Sequence, residues 1–160
     1  MEKALIIKTL CELLLSDNRN DCVEFANTHY PFATSPISKR KYSRYEMCRI
    51  FLRDGFIDRY SAEKLLFPGL IKLLTIEFPE IFKYHMNWKM TETHLVYWEL
   101  FPTIDHLVPI ARGGLNNESN WVTTSMIRNS AKSNWTIEEL GWKLYSVGQL
   151  DNWDGLTNCF

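Results

Sequence analysis

The sequence predicts a mixed α+β chain, mostly helical, with a small strand-containing core near the C-terminus. Three observations predict it. Helix-capping spacings recur, at Asp21 with Glu24, Ser43 with Glu46 and Thr136 with Glu139. Beyond Asp105 the pattern changes to a short apolar stretch, a Gly113-Gly114 turn and a polar stretch. Hydrophobic residues make up 46% and charged residues 23% of the 160, the composition of a packed chain rather than a disordered one. That length suits a single domain over 1–160, with no repeat and no long linker. Within it we expect a helical N-terminal part with a basic helix over 1–55, a helical insertion over 56–100, and a core with its following helix over 101–146.

Taken in order, Glu2 to Leu15 reads as an amphipathic helix. Lys8 and Glu12 interrupt its apolar run and no small-residue cleavage site follows, which argues against a signal peptide or a membrane span. A second helix opens at Asp21 and stops before Pro31, and a loop containing Pro36 follows. Ser43 caps a third helix that ends before Gly55, its apolar side being Tyr45, Cys48, Ile50, Phe51 and Leu52. After a Pro68-Gly69 turn come two helical pieces, Leu70 to Leu74 and Ile76 to Phe82, broken near Pro79. Thr91 caps a helix through Leu100 that Pro102 ends. A strand ends in Asp105-His106 and turns back at Gly113-Gly114. A polar helix runs from Trp121 to Lys132, and a last one from Thr136 toward Ser146.

Lysine and arginine number 18 against 19 acids, a net charge of -1, which excludes a polybasic protein that binds nucleic acid by bulk charge. A local basic stretch remains: Lys39, Arg40, Lys41, Arg44, Arg49 and Arg53, with Glu46 opposing. It reads equally as a solvated helix face or as a phosphate-facing one. Cys11, Cys22, Cys48 and Cys159 form no C-x-x-C pair and no disulfide framework, which suits a reducing cytoplasm. Trp88, Trp98, Trp121, Trp135 and Trp142 read as core residues rather than base-stacking ones. His29, His85 and His94 have no partner pattern.

The chemistry concentrates in Asp105-His106-Leu107-Val108-Pro109, Gly113-Gly114, Asn120, Asn129 and Lys132. On a helix, Asn129 and Lys132 are three apart and share a face. A strand folded back against that face brings together two hard oxygen donors suited to Mg²⁺, the Asp105 carboxylate and the Asn129 amide. Beside them stand an imidazole that takes a proton near neutral pH and an ammonium able to meet a phosphate. Those are the parts of a metal-assisted phosphodiester hydrolase.

In these residues the sequence resembles the HNH nucleases with the ββα-metal fold. Their core reads as Asp-His, a Pro three residues on, a Gly-Gly turn, a central Asn, then Asn or His on the helix with a Lys after it. The spacing from Asp105 to Asn120 to Asn129, with Ser133-Asn134 trailing, matches the HNH domain of RNA-guided CRISPR nucleases. Close resemblance covers about 101–134. Upstream, Arg53-Asp54-Gly55-Phe56 with Tyr60 and Leu65 looks like the stretch leading into the family's first zinc knuckle. The knuckle cysteines are replaced here, by Asp58 to Ala62 at the first and Ser125 to Asn129 at the second, so no structural zinc is expected.

The resemblance implies a C-terminal ββα-metal core and a DNA endonuclease dependent on one divalent cation, Mg²⁺ or Mn²⁺, of a restriction or phage-defence kind. His106 would be the general base; Asp105 and Asn129 would bind the cation; Asn120 would pin the loop and help orient His106. Lys132 would contact phosphate or else face solvent, and Arg112 reads as exposed. Lys39, Arg40, Lys41, Arg44 and Arg49 would supply part of the DNA-facing surface. The expected partner is DNA, with no membrane, and a homodimer is one route to cutting both strands. The competing readings are an HNH scaffold that binds nucleic acid without cleaving it and a partner-dependent nickase; a zinc-binding interaction domain fails on cysteine placement.

Overall fold

The computed structural model describes residues 2–16, 18–32 and 42–159. The chain forms two compact units, Met1–Thr34 and Ser35–Phe160. The first is a helix pair, α1 (Lys3–Leu15) and α2 (Arg19–His29). Ile6 and Cys22 are its buried side chains. The Asn18 side chain caps α2 by accepting from the Asp21 amide, so the helix opens ahead of the Asp21-Glu24 spacing that predicted it. Lys39, Arg40, Lys41 and Pro36 lie outside the described residues.

The second unit opens with α3 (Arg44–Arg53), which carries the full capping box: the Ser43 hydroxyl accepts from the Glu46 amide and Glu46 accepts from the Ser43 amide. Of its predicted apolar side, Ile50 and Phe51 are buried, while Tyr45, Cys48 and Leu52 are exposed. Pro68 starts α4 (Pro68–Glu77). The two pieces expected there are one helix, ending before Pro79. The helix expected from Thr91 is a run of turns leading to the short α5 (Val96–Glu99).

The stretch read as one polar helix from Trp121 is instead a strand followed by a helix. The β-branched run Val122-Thr123-Thr124 favours extended backbone, and β2 (Trp121–Ser125) pairs antiparallel with β1 (Pro102–His106), Asp105 opposite Val122 and His106 opposite Trp121. Ser125 then caps α6 (Met126–Lys132). The architecture is thus mixed α+β and mostly helical, with a two-stranded antiparallel sheet among the described residues. No described helix is long and apolar enough to cross a membrane.

One face of the hairpin packs on α3: Ile50, Phe51, Phe56, Ile104 and Trp121 form a buried cluster. Along the outer edge of β2 runs the segment 54–60, held by buried carboxylates. Asp54 accepts from the Thr123 amide at 2.7 Å and pairs with Arg53 and Arg59. Asp58 accepts from the Ser125 amide at 2.8 Å and the Thr124 hydroxyl at 3.0 Å. Buried charge is tolerable when it is bonded in this way. The same bonds link the 54–60 segment to the end of β2 and the start of α6, reinforced by Arg128 to Glu63 at 2.8 Å.

The helix expected toward Ser146 does not form. Thr136 and Glu139 do make reciprocal capping bonds, but Gly141 takes a left-handed φ of +66° and ends the turn. The chain then runs as an irregular strap over 54–67, with Gly148 N to Asp54 O at 3.0 Å and Phe67 N to Gly155 O at 2.7 Å. It crosses so closely that a Cβ on Gly55 would lie 2.6 Å from the Gly148 carbonyl carbon.

Candidate active site

Successive strand residues point to opposite faces, and directly opposed residues share one. Asp105 therefore shares a face with Val122, and His106 shares the other with Trp121. Helix α6 lies against the Asp105 face. Its Asn129 Nδ2 donates to the Ile104 carbonyl at 3.1 Å, and one turn on, Lys132 Nζ donates to the His106 carbonyl at 2.8 Å. The same ammonium sits 2.9 Å from Asp105 Oδ2.

Asp105 is 3% exposed and Lys132 0%. Lys132 is thus a buried counter-ion, on neither of the surfaces that phosphate contact or a solvent-facing role would require. Tyr60 completes the cluster: its hydroxyl donates to Asp105 Oδ2 at 2.7 Å, and its ring centroid lies 5.9 Å from Lys132 Nζ. Burial, and then the Asp105 charge, push the Tyr60 hydroxyl well above its usual pKa, so it stays a proton donor. Tyr60 and Lys132 both hold Oδ2. Among the described residues, neither Asp105 Oδ1 nor Asn129 Oδ1 accepts a hydrogen bond.

His106 faces the α3 side and is 3% exposed. The Trp121 indole N–H donates to its Nε2 at 2.9 Å, and the Asn116 amide oxygen, Oδ1, lies 3.0 Å from the same atom. The indole contact needs a lone pair on Nε2 and the Asn116 Oδ1 contact needs a proton there, so the two serve the neutral and the protonated ring in turn. Asn120 ties the intervening loop: its Oδ1 accepts from Val108 N at 2.9 Å and its Nδ2 donates to Val108 O and Leu115 O. Gly114 is obligatory in that loop, since a Cβ there would sit 1.8 Å from the Val108 carbonyl oxygen.

The sequence-predicted residues therefore fall into three groups. Asp105, Asn129 and Lys132 meet on one face; His106 lies beside them on the other; Asn120 braces the loop between the strands. The basic helix is separate. Arg49 forms a two-pronged pair with Glu118, at 3.1 and 3.3 Å, and Arg53 donates to Asp54 and the Trp121 carbonyl. Arg44 is exposed. Arg112 pairs with Glu139 at 2.8 Å, over the Trp135 ring.

Among the described residues no three His, Cys, Asp or Glu side chains gather in a metal-holding group. One carboxylate oxygen and one amide oxygen are nonetheless hard donors of the kind Mg²⁺ accepts, with water and substrate phosphate filling its other positions. The donor set fits such a cation, against the opposing charge of Lys132. Tyr60, Asn116 and Trp121 are the site residues that sequence reasoning missed. Tyr60 lies 45 positions from Asp105, and no local pattern links them. No family model, curated protein or solved structure matches the chain.

Proposed function

We propose that the chain is a divalent-metal-dependent DNA endonuclease with a ββα-metal core. What carries this reading is the close approach of Asp105, Asn129 and Lys132 where α6 meets the end of β1, with His106 adjacent. Asp105 Oδ1 and Asn129 Oδ1 would hold the cation, which when bound supplies charge stabilisation to the scissile phosphate and the leaving 3′-oxygen. His106 takes the proton of the attacking water at Nε2 by giving up the Trp121 indole hydrogen bond, and the new Nε2–H then faces Asn116 Oδ1. The new P–O bond forms as the bond to the 3′-oxygen breaks, and the departing oxygen takes a proton from solvent water, leaving a 5′-phosphate and a 3′-hydroxyl. Tyr60 and Lys132 hold Oδ2 and so set the direction of Oδ1.

A second reading, a nucleic-acid-binding scaffold without cleavage, is favoured by the burial of His106 and by the pairing of Asp105 with Lys132. Plasmid incubation with Mg²⁺, Mn²⁺ or EDTA separates the two. Nicked or linear products with either metal and none in EDTA support the nuclease. An intact plasmid that the protein nonetheless retards in a gel supports the scaffold.

A further inference from the structure

The insertion between α3 and β1 builds an aromatic cleft that the proposed chemistry does not use. Its volume is about 440 Å³, within the range of small-ligand sites. Tyr84, Trp88, Tyr97 and Phe101 wall it, with Lys72 and Thr75 from α4. Trp88 is the hub, meeting Tyr84, Tyr97 and Phe101 edge-on at centroid distances of 6.0, 5.6 and 5.3 Å. It holds this place with a left-handed φ of +50°, a conformation that a bulky side chain adopts only when its surroundings enforce it.

The polar groups divide into committed and uncommitted ones. Thr75 Oγ1 and the Tyr97 hydroxyl bond each other at 2.7 Å, so they are spent. Lys72 makes no ion pair or hydrogen bond among the described residues. No carboxylate lines the cleft. An aromatic cage around a quaternary ammonium would be opposed by that lysine. Flat π-walls beside a lone ammonium suit the reverse: a planar ring carrying a phosphate.

Position agrees. Phe101 directly precedes β1 and stands four residues before Asp105, about 13 Å at roughly 3.3 Å per strand residue. At ~3.4 Å per nucleotide that is about four steps of one DNA strand. We infer that the Tyr84–Trp88–Phe101 cleft takes a single unpaired nucleobase of a DNA strand, stacked on the aromatic walls, with Lys72 on its phosphate. The inference rests on the nucleic-acid reading of the neighbouring site.

The test uses the whole chain in EDTA, where no strand is cut. Anisotropy of a labelled 12-nucleotide single strand is compared with that of an abasic strand of the same length and charge. Stacking of one base predicts that the natural strand binds roughly fivefold to a hundredfold tighter. Tyr84, 46% exposed, can be truncated with little effect on the core. Tyr84→Ala should erase most of the preference, Tyr84→Phe should keep it, and Lys72→Ala should weaken both strands alike. Equal affinity for the two strands, or an undiminished preference in Tyr84→Ala, overturns the base site. If plasmid is still cleaved in Mg²⁺, the nuclease reading survives that failure; if neither strand binds and no plasmid is cleaved, both fall.

Discussion

The Asp105–Lys132 pair is the most consequential contact between single residues. Both side chains are buried, so each protects the fold from the other's uncompensated charge. Lys132→Met should destabilise the chain by roughly 3–5 kcal/mol, whereas Asp105→Leu combined with Lys132→Met should cost far less than the sum of the singles. Denaturant unfolding of the three variants checks this, and additivity would contradict the buried pair. Tyr60 supplies a pH handle. Its pKa in the folded chain is raised above the unfolded value near 10, so the stability it contributes is complete below pH 10 and drains away as pH rises beyond it. Tyr60→Phe should flatten that alkaline loss in melting curves recorded from pH 8 to 11. An unchanged alkaline slope would remove Tyr60 from the cluster.

At the scale of elements, local chemistry decides which predictions succeed. The capping box of α3 was legible because Ser43 and Glu46 are three apart and each caps the other's backbone amide. Ser43→Ala should cost about 1 kcal/mol, read from unfolding. Glu46 bonded to Ser43 has a lowered pKa, so its help to the helix is present above the unfolded value and lost as pH falls through the folded one. The stretch 121–125 was misread because polar threonines resemble an exposed helix face. Their burial comes from tertiary pairing with β1 and from Asp54 and Asp58, whose distant partners leave no periodic trace. The Thr136 cap was legible, but Gly141 overrode it. The site residues were legible as a motif; their burial, and the opposite facing of Asp105 and His106, were not, since these depend on strand register.

For the molecule as a whole, the question is what holds so small a core together. The 54–63 segment is bolted to β2 and α6 by Asp54, Asp58 and the Glu63–Arg128 pair, and the C-terminal strap closes over it. Asp58→Ala should strip Ser125 N and Thr124 Oγ1 of their buried acceptor and lower the melting temperature by several degrees or more. Elemental analysis of the purified chain should find no stoichiometric zinc; one zinc per chain would overturn the hydrogen-bonded staple. On this frame we propose His106 as the base beside a cation at Asp105 and Asn129. The measurement that tests it most directly is the rate of Mg²⁺-dependent plasmid cleavage by the wild type and by His106→Ala, with circular dichroism on both. A loss of about 10²–10⁴-fold in rate is expected, with the fold and DNA binding retained. Cleavage at the wild-type rate by a folded His106→Ala protein would contradict it.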